Sequence, residues 1–180
     1  MVGGGSGRRF GLAKQYEALG EVRVIDRSVA IAREASDGVV VVVPPDDAER
    51  EGAIAGGATR SDSVRAGLAA VPPDATIICV HDAARPLATV ELYQRAIAAV
   101  RDGADGAIPA VAVADTIKIV ADGVVVSTPD RASLVAVQTP QAFRAGVLRA
   151  AHEAGSDATR AVTIPFDAER DEFRVGPPES

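Results

Sequence analysis

The 180-residue chain contains no tryptophan, a single cysteine and only 3% aromatic residues. The lone cysteine, Cys79, excludes an internal disulfide, so nothing indicates an oxidising compartment. The sequence has no stretch of about 18 apolar residues, the length needed to span a membrane, and no signal-peptide pattern. We therefore expect a cytoplasmic protein with no membrane role.

Positive charge is also scarce. The formal net charge of -6 argues against general binding to nucleic acid or to anionic membranes, because both require a basic protein face. Only Lys14 and Lys118 are lysines, and the other cationic side chains are arginines. Any site for an anion must therefore be a local cluster of positive charge.

Hydrophobic residues, mostly alanine and valine, make up 47% of a chain that is the size of one domain. Apolar strand patterns near residues 39–43, 53–55, 76–81 and 106–113 alternate with helical patterns at 24–35, 64–71 and 93–100, and from the Thr139 turn to about 154. This alternation is typical of right-handed βαβ crossovers. We predict an α/β fold with a Rossmann-like, mostly parallel sheet flanked by helices, and we expect His152 at the surface.

Residues 116–128 interrupt the alternation. Two β-branched segments flank Asp122-Gly123, a dipeptide typical of tight hairpins, so we predict an antiparallel β-arm over about 115–131. An isolated two-stranded arm is marginally stable, so we expect it to pack on the body or on a partner. After residue 155 the periodicity fades, which predicts a domain over 1–154 followed by a divergent, weakly structured tail over 155–180.

The first candidate site is the segment GGGSGRRF at residues 3–10, together with Lys14 in KQY. Glycine-rich backbone amides can bind phosphate oxygens, here those of Gly5, Ser6 and Gly7. Arg9 and Lys14 can neutralise charge as a phosphorus becomes pentacoordinate. The segment lacks the order of a Walker loop, and a flexible tail with solvated arginines is the alternative interpretation.

The second candidate is the segment HDAARP at residues 81–86, which follows the strand predicted at 76–81. The carboxyl ends of parallel strands line the ligand crevice of open α/β sheets, so Asp82 and Arg85 would face substrate hydroxyl and phosphate groups. The alternative is a turn held by an ion pair between these two side chains.

The third candidate, GGATRSDS at residues 56–63, joins a predicted strand to a helix. Its glycines permit close approach by a nucleobase, its hydroxyls can bind the base edge, and Arg60 can reach a phosphate. The alternative is an ordinary helix cap formed by Ser61, and both interpretations can hold together.

In this order, the segments resemble the family of 2-C-methyl-D-erythritol 4-phosphate cytidylyltransferases. The resemblance covers residues 2–154 and rests on GGGSGRRFG with KQY, GGATRSDSV, HDAARP, ADTIK, DR and QTPQAF. It implies transfer of a cytidylyl group from CTP to 2-C-methyl-D-erythritol 4-phosphate with release of pyrophosphate, in isoprenoid precursor synthesis by the non-mevalonate pathway. It also implies Mg²⁺ held mainly by the nucleotide phosphates, and a homodimer formed through the β-arm.

The resemblance further assigns roles to individual residues. It implies catalytic roles for Arg9, Lys14 and Arg131, the last delivered across the dimer by the arm. The cytosine-side contacts implied are Gly3, Gly4, Gly57 and Ser63. Together with the residues expected to face the phosphates, the CTP site then consists of Gly3, Gly4, Gly5, Ser6, Gly7, Gly57, Arg60 and Ser63. The sugar-phosphate contacts implied are Asp82, Arg85, Thr116 and Thr139. We expect no metal ligand from the protein itself.

The two ends of the chain depart from the family pattern. The apolar first strand that precedes the glycine loop is absent apart from Val2, and Thr159-Arg160 replaces an acidic segment that in the family precedes a lysine. We hypothesise that the numbered start lies downstream of the true one or that the chain is a fragment, and that the region after about 155 is divergent or frameshifted. We therefore expect weak or absent turnover from the chain as numbered.

Two alternative functions remain open. Ribitol-5-phosphate cytidylyltransferases share nearly the same motifs, and nothing in the residues alone separates the two acceptors. The other alternative is a non-catalytic, truncated relative that binds nucleotide or dimerises through its arm.

Overall fold

The computed structural model describes residues 1–3 and 14–153, and the backbone of two further strands at 166–167 and 172–175. A 3-10 turn (Lys14–Tyr16) leads into a small hairpin of β1 (Ala18–Leu19) and β2 (Val22–Arg23). Helix α1 (Val24–Ala35) follows, with the bounds that its apolar spacing predicts. The small hairpin was not predicted.

The other elements alternate between strands and helices, which confirms the α/β class. In chain order they are β3 (Val42–Val43), α2 (Pro45–Glu51), β4 (Ile54–Ala55), α3 (Arg60–Ala69), β5 (Ile77–Val80), α4 (Val90–Arg101), β6 (Gly106–Ala112), β7 (Ile119–Ala121), β8 (Val124–Ser127), a 3-10 turn (Arg131–Ser133), β9 (Val135–Val137), β10 (Gln141–Arg144), α5 (Ala145–Glu153), β11 (Phe166–Asp167) and β12 (Glu172–Val175).

The main sheet has the strand order β11-β12-β6-β10-β5, and β9 also pairs with β6. Strand β10 is antiparallel to both β5 and β6, so these two strands run in the same direction. A second, parallel pair is formed by β3 and β4. Val2 joins the two parts through parallel bridges to Val42 and Asp82, which completes the expected Rossmann-like arrangement.

Residues 1–3 lie in the middle of the sheet. The Val2 amide donates to the His81 carbonyl at 2.7 Å, and the Ala83 amide donates to the Val2 carbonyl at 2.9 Å. On the other side, the Gly3 amide donates to the Val42 carbonyl at 2.7 Å. Three residues thus supply the hydrogen bonds that connect the halves of the sheet.

A cleft of about 910 Å³ lies beyond Met1, where this pairing ends. Residues 39–40 and strand β5 line its two sides, and helices α3 and α4 cover its faces. The carbonyl of His81 points toward Val2, so the alternation along β5 turns the backbone groups of Cys79 to the same side. The cleft therefore presents the edge of β5 on one side.

Two strand and helix bounds differ from the predictions. The valine run at 39–43 forms a strand only at Val42–Val43, because residues 39–40 border the cleft. The helix predicted to follow the Thr139 turn starts at Ala145, since Gln141–Arg144 forms β10 between β5 and β6. Ladder hydrogen bonds on both sides hold this segment extended.

Two further features of the helices differ from the expectations. Helix α2 was missed: it begins at Pro45 and ends at Gly52, which has a φ of 57°. His152, expected at the surface, is only 8% exposed, because it lies on the same buried face of α5 as Ala145 and Leu148.

The predicted β-arm is confirmed as the hairpin of β7 and β8. Asp122 and Gly123 adopt positive φ angles of 49° and 78°, as a tight hairpin turn requires. Strands β11 and β12 lie within the region predicted to be a weakly structured tail, and β12 pairs with β6. The rest of that region lies outside the described residues.

The core consists mainly of small apolar side chains, as the composition predicts. One cluster packs α3 and α5 against the sheet through Leu68, Leu148 and Phe143, and a second packs alanines of α4 against β6 and β10. Across residues 1–3 and 14–153, no helix combines the length and the apolar character needed to cross a bilayer.

Candidate active site

Three of the predicted site residues form a charged cluster where β5 ends. The Asp82 carboxylate accepts from Arg60 Nη2 at 3.0 Å, and the Arg85 Nε atom lies 3.3 Å from its other oxygen. Two guanidinium groups share one carboxylate, so the cluster carries one surplus positive charge. The side chains are 31% to 43% exposed and can therefore meet a ligand. The Asp82–Arg85 ion pair of the alternative interpretation is present, and Arg60 extends it to a second element.

The amino end of α3 positions Arg60. The Thr59 hydroxyl accepts from the Asp62 amide at 3.0 Å, and the Asp62 carboxylate accepts from the Thr59 amide at 3.0 Å. This capping box satisfies two amides that the helix leaves unpaired. The helix cap is therefore Thr59 and not Ser61, which corrects the alternative interpretation of this segment.

Gly57 and Ser63 shape the turn that precedes this helix. The Ser63 hydroxyl accepts from the Gly57 amide at 3.2 Å and donates to the Thr59 carbonyl at 3.0 Å, and Ser63 is buried. A Cβ atom on Gly57 would lie 2.2 Å from the Cβ of Asp62, so only glycine fits there. Both predicted residues thus lie beside Arg60, and their bonds fix the local backbone.

Gly3 and Lys14 lie at the two ends of the glycine-rich segment. The buried Gln15 side chain donates from Nε2 to the Gly3 carbonyl at 3.1 Å, which ties these ends together. Lys14, next to Gln15, is exposed. Five other predicted residues lie outside the described residues: Gly4, Gly5, Ser6, Gly7 and Arg9.

A second set of contacts joins the end of β5 to the loop before β10. The Thr139 hydroxyl lies 2.9 Å from His81 Nδ1, and His81 Nε2 lies 3.1 Å from the Arg85 carbonyl oxygen. The Gln138 side-chain oxygen accepts from Arg85 Nη1. Burial lowers the pKa of His81 to about 4, so its imidazole is neutral near pH 7. Thr139 is itself buried, with 6% exposure.

Thr116 and Arg131 lie at the base of the β-arm. Thr116 is exposed, and Arg131 donates to the Ala114 carbonyl at 2.8 Å. Within the described part of one chain, no contact links either residue to Asp82 or Arg85. The structure therefore does not bring these two predicted residues into the charged cluster, and delivery of Arg131 across a dimer stays a prediction.

The side chains that the structure describes at the site form no cage for a metal ion. Among the residues that the structure describes, no three His, Cys, Asp or Glu side chains are placed to hold one. The Asp82 carboxylate is already paired with two arginines. The expectation that the protein supplies no metal ligand, and that Mg²⁺ is carried by nucleotide phosphates, stays a prediction.

Three residues of the site were not singled out as functional from the sequence. They are Gln15, His81 and Gln138, and each lies inside a quoted motif, namely KQY, HDAARP or QTPQAF. Their partners are 12 to 58 residues away along the chain, so the motifs identify these segments but not the groups that the side chains bind.

A Rossmann-like sheet with paired arginines at its carboxyl edge belongs to the class of α/β proteins that bind nucleotides or other phosphates at this edge. The sequence profile of one family within that class, IspD (2-C-methyl-D-erythritol 4-phosphate cytidylyltransferase), matches residues 1–172. The chain belongs to this family.

Individual relatives agree with the family match. The 2-C-methyl-D-erythritol 4-phosphate cytidylyltransferase of Geobacter metallireducens is 41% identical, over 87% of this chain and 75% of the relative. The bifunctional enzyme IspD/IspF of Anaeromyxobacter dehalogenans is 45% identical, over 91% of this chain and 46% of the relative. The chain spans less than half the length of the bifunctional relatives that it matches.

Solved structures share the fold. The crystal structure of a 4-diphosphocytidyl-2C-methyl-D-erythritol synthase superimposes with a TM-score of 0.69 at 36% identity, over 81% of this chain and 76% of the other.

Proposed function

We propose that this chain transfers a cytidylyl group from CTP to 2-C-methyl-D-erythritol 4-phosphate and releases pyrophosphate, as a cytoplasmic step of isoprenoid precursor synthesis. The family and the names of its relatives support the reaction. The observation that carries the proposal is the cluster of Arg60, Asp82 and Arg85, with its surplus positive charge.

The chemistry of the two substrates explains why such a cluster is needed. Both are polyanions, so the attack of one phosphate on the other is repulsive until fixed cations screen it. Arg60 and Arg85 are held in place by the carboxylate between them, so their charges need little reorganisation when a phosphate binds. In the proposal they bind ground-state anions, while Lys14 and Arg9 act on charge that develops in the transition state.

Asp82 and Arg85 are proposed to bind the sugar alcohol phosphate. Arg85 supplies a planar guanidinium that suits phosphate oxygens, and the Asp82 carboxylate can accept from a substrate hydroxyl. Gly3, Gly57, Arg60 and Ser63 are proposed to form the CTP side of the site. Mg²⁺ enters the proposal as an ion that accompanies CTP, and no step assigned to the protein depends on it.

The proposal includes a homodimer formed through the β-arm. Its apolar side chains are exposed in the single chain, with Val124 at 65% and Val126 at 58% exposure. A contiguous apolar surface of this kind marks an interaction site, and an isolated hairpin gains stability from a partner. The arm of a second copy would cover these valines, and Arg131 at its base would then complete the neighbouring site.

The test is pyrophosphate release that depends on CTP, measured in parallel with methylerythritol phosphate and ribitol 5-phosphate. We expect release with methylerythritol phosphate, and a fall of about 10- to 100-fold in kcat/KM for Arg85→Ala, because a charged hydrogen bond to the acceptor is lost. Arg33→Ala is the matched control, since Arg33 lies in the last turn of α1, which leads to the opposite edge of the sheet.

Three outcomes would contradict parts of the proposal. Faster release with ribitol 5-phosphate would overturn the acceptor. An equal loss in Arg33→Ala and Arg85→Ala would remove the charged cluster from the site. CTP binding by calorimetry without release with either acceptor would overturn the reaction and favour a non-catalytic nucleotide-binding relative.

A further inference from the structure

One imidazole is linked to both ends of the turn that carries Asp82 and Arg85. His81 Nε2 lies 3.1 Å from the Arg85 carbonyl oxygen, and His81 Nδ1 lies 2.9 Å from the Thr139 hydroxyl. The same hydroxyl accepts from the Asp82 amide in a longer contact of 3.4 Å. The Arg85 amide donates to the Asp82 carbonyl at 3.0 Å and closes the turn. His81 is only 2% exposed, so water does not compete for these bonds.

The partners of His81 determine its tautomer. A backbone carbonyl only accepts hydrogen bonds, so the proton must lie on Nε2, where the ring faces the Arg85 carbonyl. In the neutral ring Nδ1 then carries a lone pair, and the Thr139 hydroxyl donates to it. The oxygen of Thr139 consequently faces the Asp82 amide as an acceptor. The chain of hydrogen bonds has one direction throughout.

We propose that His81 is a positioning residue, which through this directed chain fixes where the Asp82 and Arg85 side chains stand at the acceptor site. This inference rests on the proposed function, because it assigns these two side chains to the sugar alcohol phosphate. The loop that supplies Thr139 also supplies Gln138, whose side-chain oxygen accepts from Arg85. Loss of the His81–Thr139 link would therefore release both the backbone of the turn and the guanidinium of Arg85.

Paired substitutions test the direction of the hydrogen bonds. His81→Gln keeps one donor and one acceptor, so we expect it to change KM for methylerythritol phosphate less than about threefold. His81→Leu and Thr139→Val remove the link and should raise that KM about tenfold, the equivalent of one lost buried hydrogen bond. KM for CTP should stay within about twofold of the unsubstituted chain.

The double variant His81→Leu/Thr139→Val separates a shared link from two independent defects. If the two residues act as one unit, its KM for methylerythritol phosphate should match that of the worse single variant. Multiplied effects would overturn the proposal. So would equal increases in KM for both substrates, which would indicate a general loss of structure and not a displaced acceptor turn.

An NMR measurement on the free protein keeps this inference separate from the proposed reaction. We expect the His81 ring to show a protonated Nε2 and an unprotonated Nδ1, and we expect the Arg85 Nε–H signal to move in His81→Leu but not in His81→Gln. A protonated Nδ1, or an Arg85 signal unchanged in His81→Leu, overturns the positioning role. Absence of pyrophosphate release from the unsubstituted chain, in contrast, contradicts the reaction and leaves these signals to be judged independently.

Discussion

In a protein produced with Met1 as its first residue, lowering the pH from 8 to 6 should destabilise the folded chain, because the amino group of Met1 is buried. This group donates to the Val40 carbonyl at 2.9 Å at the inner end of the cleft, and burial lowers its pKa from 8.0 to about 6. As the pH falls through 8, the unfolded chain takes up a proton that the folded chain takes up only near 6. The whole gap corresponds to a loss of about 3 kcal/mol in the free energy of unfolding, of which about 2 kcal/mol falls between pH 8 and 6.

The buried histidine affects a lower range of pH. Burial lowers the pKa of His81 from 6.5 to about 4, so its contribution to stability is lost as the pH falls from 6.5 to 4. Between pH 8 and 6.5 the Met1 amino group therefore changes the free energy of unfolding with little contribution from His81. Urea unfolding at pH 8, 7.2 and 6.5 therefore isolates the effect of Met1, with mass spectrometry to verify that this residue is retained.

A chain acetylated at its amino terminus is the control, because the acetylated nitrogen no longer titrates. We expect the free energy of unfolding to fall between pH 8 and 6.5 in the unmodified chain and to stay nearly level in the acetylated one. Equal slopes in the two proteins would refute the reasoning, since the loss would then come from other groups. A level curve in the unmodified chain would show that the amino group is not buried as described.

Three further predictions concern glycine, charge and assembly. Gly57→Ala should lower the free energy of unfolding by about 1–3 kcal/mol, because its Cβ would overlap Asp62. Gly146→Ala, in an open part of α5, should raise it by about 0.5–1 kcal/mol. Equal changes in urea unfolding would argue against the close approach of Gly57 to Asp62. Lys14→Ala should reduce turnover about 100-fold with little change in KM for CTP, and an unchanged rate of pyrophosphate release would exclude a catalytic role. If Arg131 acts in the active site of the neighbouring subunit, an equal mixture of Arg131→Ala and Lys14→Ala subunits should recover about a quarter of the activity. No recovery in verified mixed dimers would contradict this role of Arg131.

The sequence predicted those features that depend on local pattern. Helix α1 has its predicted bounds because its apolar spacing is regular, and the arm turns at Asp122-Gly123 because that dipeptide tolerates positive φ. Asp82 was assigned to the acceptor side and Arg60 to the CTP side, and the two side chains meet because each follows a strand that ends at the same edge.

Long-range pairing was beyond this kind of prediction. The segment Gln141–Arg144 is short and apolar enough to suit a helix or a strand, and only its position between two strands decides the matter. Helix α2 has no buried residue, so no apolar stripe could reveal it. The contact between His81 and Thr139 spans 58 positions and leaves no trace in either motif.

The buried amino end has a practical consequence for anyone who produces this protein. Residues joined ahead of Met1, such as a histidine tag, would have to enter the space between residues 39–40 and β5 or pull residues 1–3 out of the sheet. A charged tag that entered this space would carry its ions away from water, which costs free energy. Any residues placed before Met1 will therefore alter how firmly residues 1–3 hold the two halves of the sheet together.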